Sequence, residues 1–307
     1  MMNTTFLQEF AAALQLSRHK GVGAAAFRRL LDVHRLPSLA LASWLAEGND
    51  KNPDLQRQSR LKSATTLLIK DALAKVASKE FLGWYYSQAG YPQQLRDLGE
   101  PPPVLFGSSE IRPLRFAAVV GARKLAPEAF RPAEEMVCQL VKEGYAIVSG
   151  GALGADTVAH KKALAIGAYT AAILATGLDI VYPAANARLF AEIARSGVLL
   201  SEMMPGAKPQ RSFFPARNRI IAALADVVAI VQADAGSGAL ITAAWASRLG
   251  RRLLVLAPQT DDTELWAGNI QLIEAGAGVY QPGGRAFSVS EPVSNFVHAD
   301  CHLFTGI

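Results

Sequence analysis

The densest chemical signal in this 307-residue chain lies between Lys208 and Arg219. Within 12 residues it places Lys208, Arg211, Arg217 and Arg219 around the adjacent pair Phe213 and Phe214, with no carboxylate among them. Cations track a phosphate backbone, and an exposed phenylalanine offers a stacking platform for an unpaired base. Pro215 suits a helix start, so these cations gather near a positive helix N-terminus, a placement that is unfavourable without an anion. Because Phe214 precedes Pro215, it is expected in an extended segment at the mouth of a crevice, with Phe213 turned into the core. The competing reading puts both rings in the core and leaves the arginines as a solvated face.

Four further clusters share a simpler feature, small residues directly after an apolar run. They are Gly121-Ala122-Arg123; Ser149-Gly150 through Gly154, Asp156 and His160; Ala175-Thr176-Gly177 followed by Tyr182-Pro183; and Gly236-Ser237-Gly238 with Thr242 one turn on. Glycines let a backbone approach an anion, and amides at helix N-termini stabilise negative charge. Each cluster alone also serves as a tight strand-to-helix turn; together at one sheet edge they read as a phosphate-binding crevice. Arg123 and Arg217, 94 positions apart, are expected to face it from exposed positions. The pattern contains neither a Gly-x-Gly-x-x-Gly after the first strand nor a Gly-Lys-Ser/Thr. Asp156, His160 and Glu202 could supply acid–base groups, although a structural aspartate at a helix start is the preferred reading of Asp156.

The elements that must position these clusters follow from periodicity. Apolar runs at 116–121, 145–149, 170–176, 197–201, 227–233 and 252–257 alternate with stretches long enough for crossover helices. Runs as continuous as Val227-Val228-Ala229-Ile230-Val231 suit strands buried on both faces. The alternation predicts an α/β fold with an open, doubly wound, mostly parallel sheet, whose ligands bind beyond the carboxyl ends of the strands. Upstream, Phe6, Phe10, Leu14 and Leu16 predict one helix, and Phe27, Leu30 and Leu31 another. His19-Lys20-Gly21-Val22-Gly23 between them is similar to a helix-hairpin-helix turn, although short Gly-x-Gly turns are common and a plain connector is the preferred reading. Glu47 to Ser59 reads as a polar loop. The organisation expected is a small all-α domain over 1–90, a lead-in at 91–115, the sheet domain at 116–282 and a tail at 283–307.

Half the residues are hydrophobic and 19% are charged, the balance of a globular chain. The net charge of +5 belongs to residues 1–80, which hold 12 Lys+Arg against 7 Asp+Glu; the remaining residues hold 19 of each. A basic site in the larger part is therefore a local cluster. No apolar run approaches the roughly 20 residues of a membrane span, and the first ten residues lack signal-peptide character, so a cytoplasmic protein is expected. Two cysteines, Cys138 and Cys301, give neither a disulfide framework nor zinc spacing. Cys138 is expected buried on a helix face. No metal, cofactor or catalytic residue is called for.

With these residues in view, the chain resembles the DprA (Smf) family. The resemblance rests on Ser149-Gly150 through Asp156 and His160, Gly177-Leu178-Asp179 with Tyr182-Pro183, and Ser201-Glu202. It continues through Phe214-Pro215-Ala216-Arg217-Asn218-Arg219-Ile220-Ile221 and Ser237-Gly238-Ala239-Leu240-Ile241-Thr242 to Asn269–Ala277. Tyr91-Pro92-Gln93-Gln94-Leu95 and Pro101–Phe106 look like the family's lead-in. The resemblance implies a Rossmann-like sheet after a small helix-hairpin-helix (SAM-like) domain. It also implies a homodimer that binds single-stranded DNA and loads the RecA recombinase during natural transformation. The implied basic pocket is Arg123, Lys208, Phe214, Arg217, Asn218 and Arg219, and the implied glycine loops are Gly121, Gly150, Gly154 and Gly238. Ser149, Asp156, His160, Ser237 and Thr242 complete the candidate site.

Three departures qualify this expectation. Ala122 stands where the family has serine, and Leu153 where it has an arginine, which removes one pocket cation. After Tyr280 only 27 residues follow, with Arg285 their sole Lys or Arg, so a C-terminal winged-helix domain is not expected. The alternatives are a Rossmann-like small-nucleotide binder or nucleotide hydrolase, and an interaction scaffold with a vestigial pocket. Phe214 and Arg217 favour a polymer with bases; Leu153 favours a smaller or less charged ligand.

Overall fold

The computed structural model describes residues 4–19, 21–46 and 55–283, with side chains from residue 66 onward in the last segment. Lys20, Cys301 and the tail from 284 lie outside the described residues. Four helices open the chain: α1 (Thr4–Leu16), α2 (Ala24–His34), α3 (Pro37–Ala46) and α4 (Leu55–Ala77). Phe10, Leu14, Phe27 and Leu31 are buried, as their spacing predicts. The turn between α1 and α2 uses Gly21 at a φ of 87°, a left-handed conformation that costs other residues a steric penalty. Of the loop expected at Glu47–Ser59, residues 55–59 belong instead to α4, and 47–54 lie outside the described residues. Gln56, Arg57 and Gln58 are polar but good helix formers, so polarity there does not by itself mark a loop.

The sheet has nine strands: β1 (Leu82–Tyr85), β2 (Val104–Gly107), β3 (Phe116–Val120), β4 (Ala146–Ser149), β5 (Thr170–Leu174), β6 (Val198–Ser201), β7 (Val227–Ile230), β8 (Arg252–Leu256) and β9 (Gly278–Tyr280). Their order is β1-β2-β6-β5-β4-β3-β7-β8-β9. The six runs read from the sequence are β3 to β8, and all their mutual pairings are parallel. Crossovers are made by α5 (Pro127–Lys142), α6 (Ala155–Ala165), α7 (Ala187–Ser196), α8 (Phe213–Leu224) and α9 (Gly238–Arg248), with α10 (Ala267–Glu274) leading into β9. The chain runs outward from β3 through β4, β5 and β6, then returns to place β7 on the other side of β3. That reversal makes β3 and β7 the topological switch point, beyond whose carboxyl ends sheets of this kind bind their ligands.

Strands β1 and β2 lie in the segments read as the end of the helical domain and the lead-in. They form an antiparallel hairpin that pairs through β2 with β6. Their sequence signal is weak for a packing reason. A Cβ on Gly83 would come within 2.5 Å of the Phe10 ring, so the strand needs glycine where a β-former is expected. One core runs from the N-terminal helices into one face of the sheet. Phe116, Ala118 and Val120 of β3 join one core with Phe10, Phe106 and α8–α9, while Ala117 and Val119 face α5 and α6. On α5, Ala129, Ala133, Met136, Val137 and Leu140 form the buried face, and Cys138 sits beside it half-buried, not buried as expected.

Candidate nucleic-acid interface

All five clusters follow strand carboxyl ends, but their side chains divide sharply into an inner scaffold and an exposed rim. At the end of β3, Gly121 is closed in by Ala155 and the Gln232 backbone. The Ala122 amide donates to the Gln232 carbonyl at 2.7 Å. Arg123 beyond it is exposed.

The β4 loop is held from within. Ser149 Oγ donates to the Val119 carbonyl at 2.6 Å. Asp156 Oδ2 accepts from the amides of Gly150 and Ala152, each at 3.1 Å. Those amides were expected to meet phosphate; a buried carboxylate occupies them instead. Gly154, at a φ of 76°, packs so close to Ala122 and Arg123 that any Cβ there would collide with their backbone. Asn186, which sequence reasoning did not single out, donates from Nδ2 to the Gly151 carbonyl at 3.0 Å. Leu153, in the family's arginine position, is 44% exposed at the loop tip.

Arg217 departs most from expectation. It is 4% exposed. Its Nη1 donates to the Gly150 carbonyl at 2.6 Å and to the Ile173 carbonyl, and its Nε donates to Asn218 Oδ1 at 3.2 Å. The guanidinium fills the space a Gly150 side chain would need. Burial lowers its pKa to about 10, opposed by the Asp156 charge. Burial in turn raises the Asp156 pKa, opposed by Arg217 and by the amides it accepts from. Asn218 Nδ2 reaches the Gly238 carbonyl at 3.2 Å and ties α8 to α9. Arg219 is also internal. It grips Glu202 at 2.7 and 2.6 Å through both terminal nitrogens and donates to the Glu100 carbonyl at 3.2 Å. Burial works against the Arg219 charge, and Glu202 outweighs it, leaving the pKa raised. Arg217 and Arg219 are thus satisfied by protein acceptors and need no external anion, whereas Lys208 and Arg211 stay exposed.

His160 lies 0% exposed, away from the crevice. Its Nδ1 is 2.8 Å from Thr170 Oγ1, which donates to the Ile147 carbonyl. The hydroxyl proton is committed to that carbonyl, so His160 donates from Nδ1 and Nε2 is left without a partner. Burial, aided by the Arg217 charge, lowers its pKa to about 3. The unfolded chain binds this proton near pH 6.5 and the folded one does not, so stability is lost as pH falls. Between pH 7 and pH 5 this site alone removes about 2 kcal/mol. Urea unfolding at both pH values should show this, and His160→Gln should flatten the difference; an unchanged pH slope in that variant contradicts the assignment.

The rim is built differently. Helix α8 begins at Phe213, two residues before Pro215. Phe214 is therefore in the first helical turn and not in an extended segment. Proline is tolerated there because the first amides of a helix have no intrahelical partner. Phe214 is half-exposed, with the Arg123 guanidinium 5.1 Å from its ring centre and Tyr182 5.6 Å away, tilted by 55°. Tyr182 is 44% exposed and was not among the expected site residues, although its place before Pro183 in a strand-end loop marked it. Phe213, expected in the core, is half-exposed too and faces a different cleft. Lys208 and Arg211 are exposed on the loop leading into α8. Ser237 caps α9 by accepting from the Ala239 amide at 3.3 Å, and Gly238 is exposed with open space beside it. Thr242 is buried, and its hydroxyl has no partner. The structure thus gathers Arg123, Phe214 and Tyr182 at the rim, while Ser149, Asp156, His160, Arg217, Arg219 and Thr242 lie beneath it.

Comparison with known proteins gives a consistent family. Residues 83–288 match the model of the DNA recombination-mediator protein A family. A Smf protein of Synechocystis is 41% identical over 195 residues, which cover 62% of this chain and 49% of that protein. The DNA processing protein DprA of Bacillus subtilis is 32% identical over 261 residues, 78% of this chain and 86% of its own length. Several of these matches therefore span only about half of the relative. In structure, the chain is similar to DprA from Streptococcus pneumoniae, with a TM-score of 0.74 at 28% identity, covering 92% of this chain and 96% of that one. It is also similar to DNA processing protein A from Helicobacter pylori, described for its single-stranded DNA binding mode. That match has a TM-score of 0.57 at 32% identity and covers 66% of this chain and 92% of that one.

Proposed function

Since this chain belongs to the DNA recombination-mediator protein A family, we propose that it binds single-stranded DNA along the carboxyl edge of its sheet. The observation that carries the reading is the Phe214 ring, half-exposed between Arg123 and Tyr182 beyond the strand ends. An unpaired base stacks on such a surface; a duplex keeps its bases out of reach. Arg123, Lys208 and Arg211 are the exposed cations placed to meet phosphates. Arg217, Arg219 and Asp156 hold the loops that present them, and Gly238 lets the backbone come close on the far side. The chemistry is binding, because Asp156 and His160 are buried in internal bonds and Glu202 is gripped by Arg219. Loading of RecA, a homodimeric state and work in the cytoplasm during DNA uptake complete the proposal by family analogy.

Titration with a fluorescent oligo-dT and with its duplex at two salt concentrations tests the reading. The single strand should bind more tightly, and three neutralised phosphates give a slope of log affinity on log salt of about −2. Equal affinity for the duplex, or no salt dependence, overturns it. A small-nucleotide ligand is the second reading. It is favoured by Leu153 in place of a cation and by the internal pairing of Arg217 and Arg219, which thin the positive rim.

A further inference from the structure

A cleft of about 600 Å³ lies between the helical domain and the sheet, and the rim described above does not use it. One wall is the turn from α1 into α2, including Arg18, Gly21 and Gly23. The other is the loop after β6, with Phe213 of α8 and Trp245 of α9. This volume suits a small organic ligand, for which sites span about 300–1,000 Å³. The charges in its lining balance in number: two cations, Arg18 and Arg219, and two carboxylates, Glu100 and Glu202, with the Arg219–Glu202 pair closed. A neutral, apolar interior with aromatic walls suits a flat heterocycle and does not suit a phosphate.

We propose that this cleft is a second nucleobase pocket, filled by a nucleotide neighbouring the one stacked on Phe214. The inference rests on the single-strand reading above. Its key observation is that Phe213 and Phe214 are consecutive in the first turn of α8. Successive helical residues point about 100° apart, so one ring lines the cleft while the other meets Tyr182 and Arg123. A strand crossing the start of α8 meets both rings, and the exposed Lys208 and Arg211 lie on the loop leading into that helix. Gln210 lines the cleft and carries both a donor and an acceptor for a base edge. The phosphate stays outside, beside Arg18 and the start of α2, where no side chain caps the helix amides. A free nucleotide carries the same chemistry and is the other source the test must separate.

The test uses the full chain and a 20-mer oligo-dT carrying one 5-iododeoxyuridine, irradiated in the complex and mapped by mass spectrometry. Adducts are expected at Phe213, Trp245 or Met203 as well as at Phe214 or Tyr182. Phe213→Ala should bind oligo-dT roughly 5- to 150-fold more weakly, the range of one lost base stack, with melting within a few degrees of wild type. Phe213→Leu, which keeps apolar bulk but no ring, should also lose affinity. Saturable binding of dTMP that is lost in Phe213→Ala, with oligo-dT affinity unchanged, assigns the pocket to a free nucleotide. Adducts confined to Phe214 and Tyr182, with Phe213→Ala binding neither ligand more weakly, overturn the pocket and leave the single-strand reading standing. Failure of the wild type to bind any single strand instead removes that reading.

Discussion

Arg217→Ala should destabilise the fold by about 3–5 kcal/mol, the cost of removing one member of a buried charge pair. In a domain of this size that lowers the melting temperature by roughly 5–15 °C. An exposed arginine would contribute less than about 1 kcal/mol. Three consequences of burial add up here. The Asp156 carboxylate loses the positive charge that opposes its desolvation, the Gly150 and Ile173 carbonyls lose their donor, and the guanidinium leaves a void beneath the β4 loop. Arg217→Lys should recover part of the loss, since it restores the charge but not the planar fork. Single-strand affinity should fall in Arg217→Ala as a consequence of the loosened loop. Thermal melting near the wild-type value would show that Arg217 does not hold the scaffold.

Phe214→Ala should show the opposite profile. Its ring meets Tyr182 and Arg123 on a half-exposed surface, so its loss should change melting by only a few degrees. Single-strand affinity should fall by about 1–3 kcal/mol, the worth of one base stack. Tyr182→Ala removes the neighbouring ring and should weaken binding in the same direction. Oligo-dT titration alongside thermal melting of the two variants separates the roles. Wild-type affinity in Phe214→Ala, or a melting loss as large as that of Arg217→Ala, refutes the stacking role.

The contrast between a buried Arg217 and a half-exposed Phe214, three positions apart, marks the limit of sequence reasoning at this site. Both lie in one block whose composition is legible as cations and aromatics without carboxylates. Helix geometry then turns them in different directions, and the acceptors that claim Arg217 come from β4 and β5, more than 40 positions away. Arg219 is claimed in the same way by Glu202.

The sequence by itself determined the α/β class, the six parallel strands β3 to β8, and the edge at which a ligand could bind. Buried strands need unbroken apolar runs, and crossovers need helical lengths, so both leave a local mark. It also determined the glycine and proline punctuation of the strand-end loops and the concentration of cations before α8. Only the tertiary structure decided the rest. The hairpin β1–β2 depends on the Phe10 ring lying over Gly83 and on an open edge at β6, neither of which has a local signature. Which amides, carboxylates and cations remain available to a ligand also depends on partners brought together by folding. Asp156 takes the amides of Gly150 and Ala152, Arg217 takes two carbonyls, and Arg123, Phe214 and Tyr182 keep their faces toward solvent. Residue type states what a side chain can do; burial and hydrogen-bond satisfaction, set by distant chain segments, select which of those capacities remains.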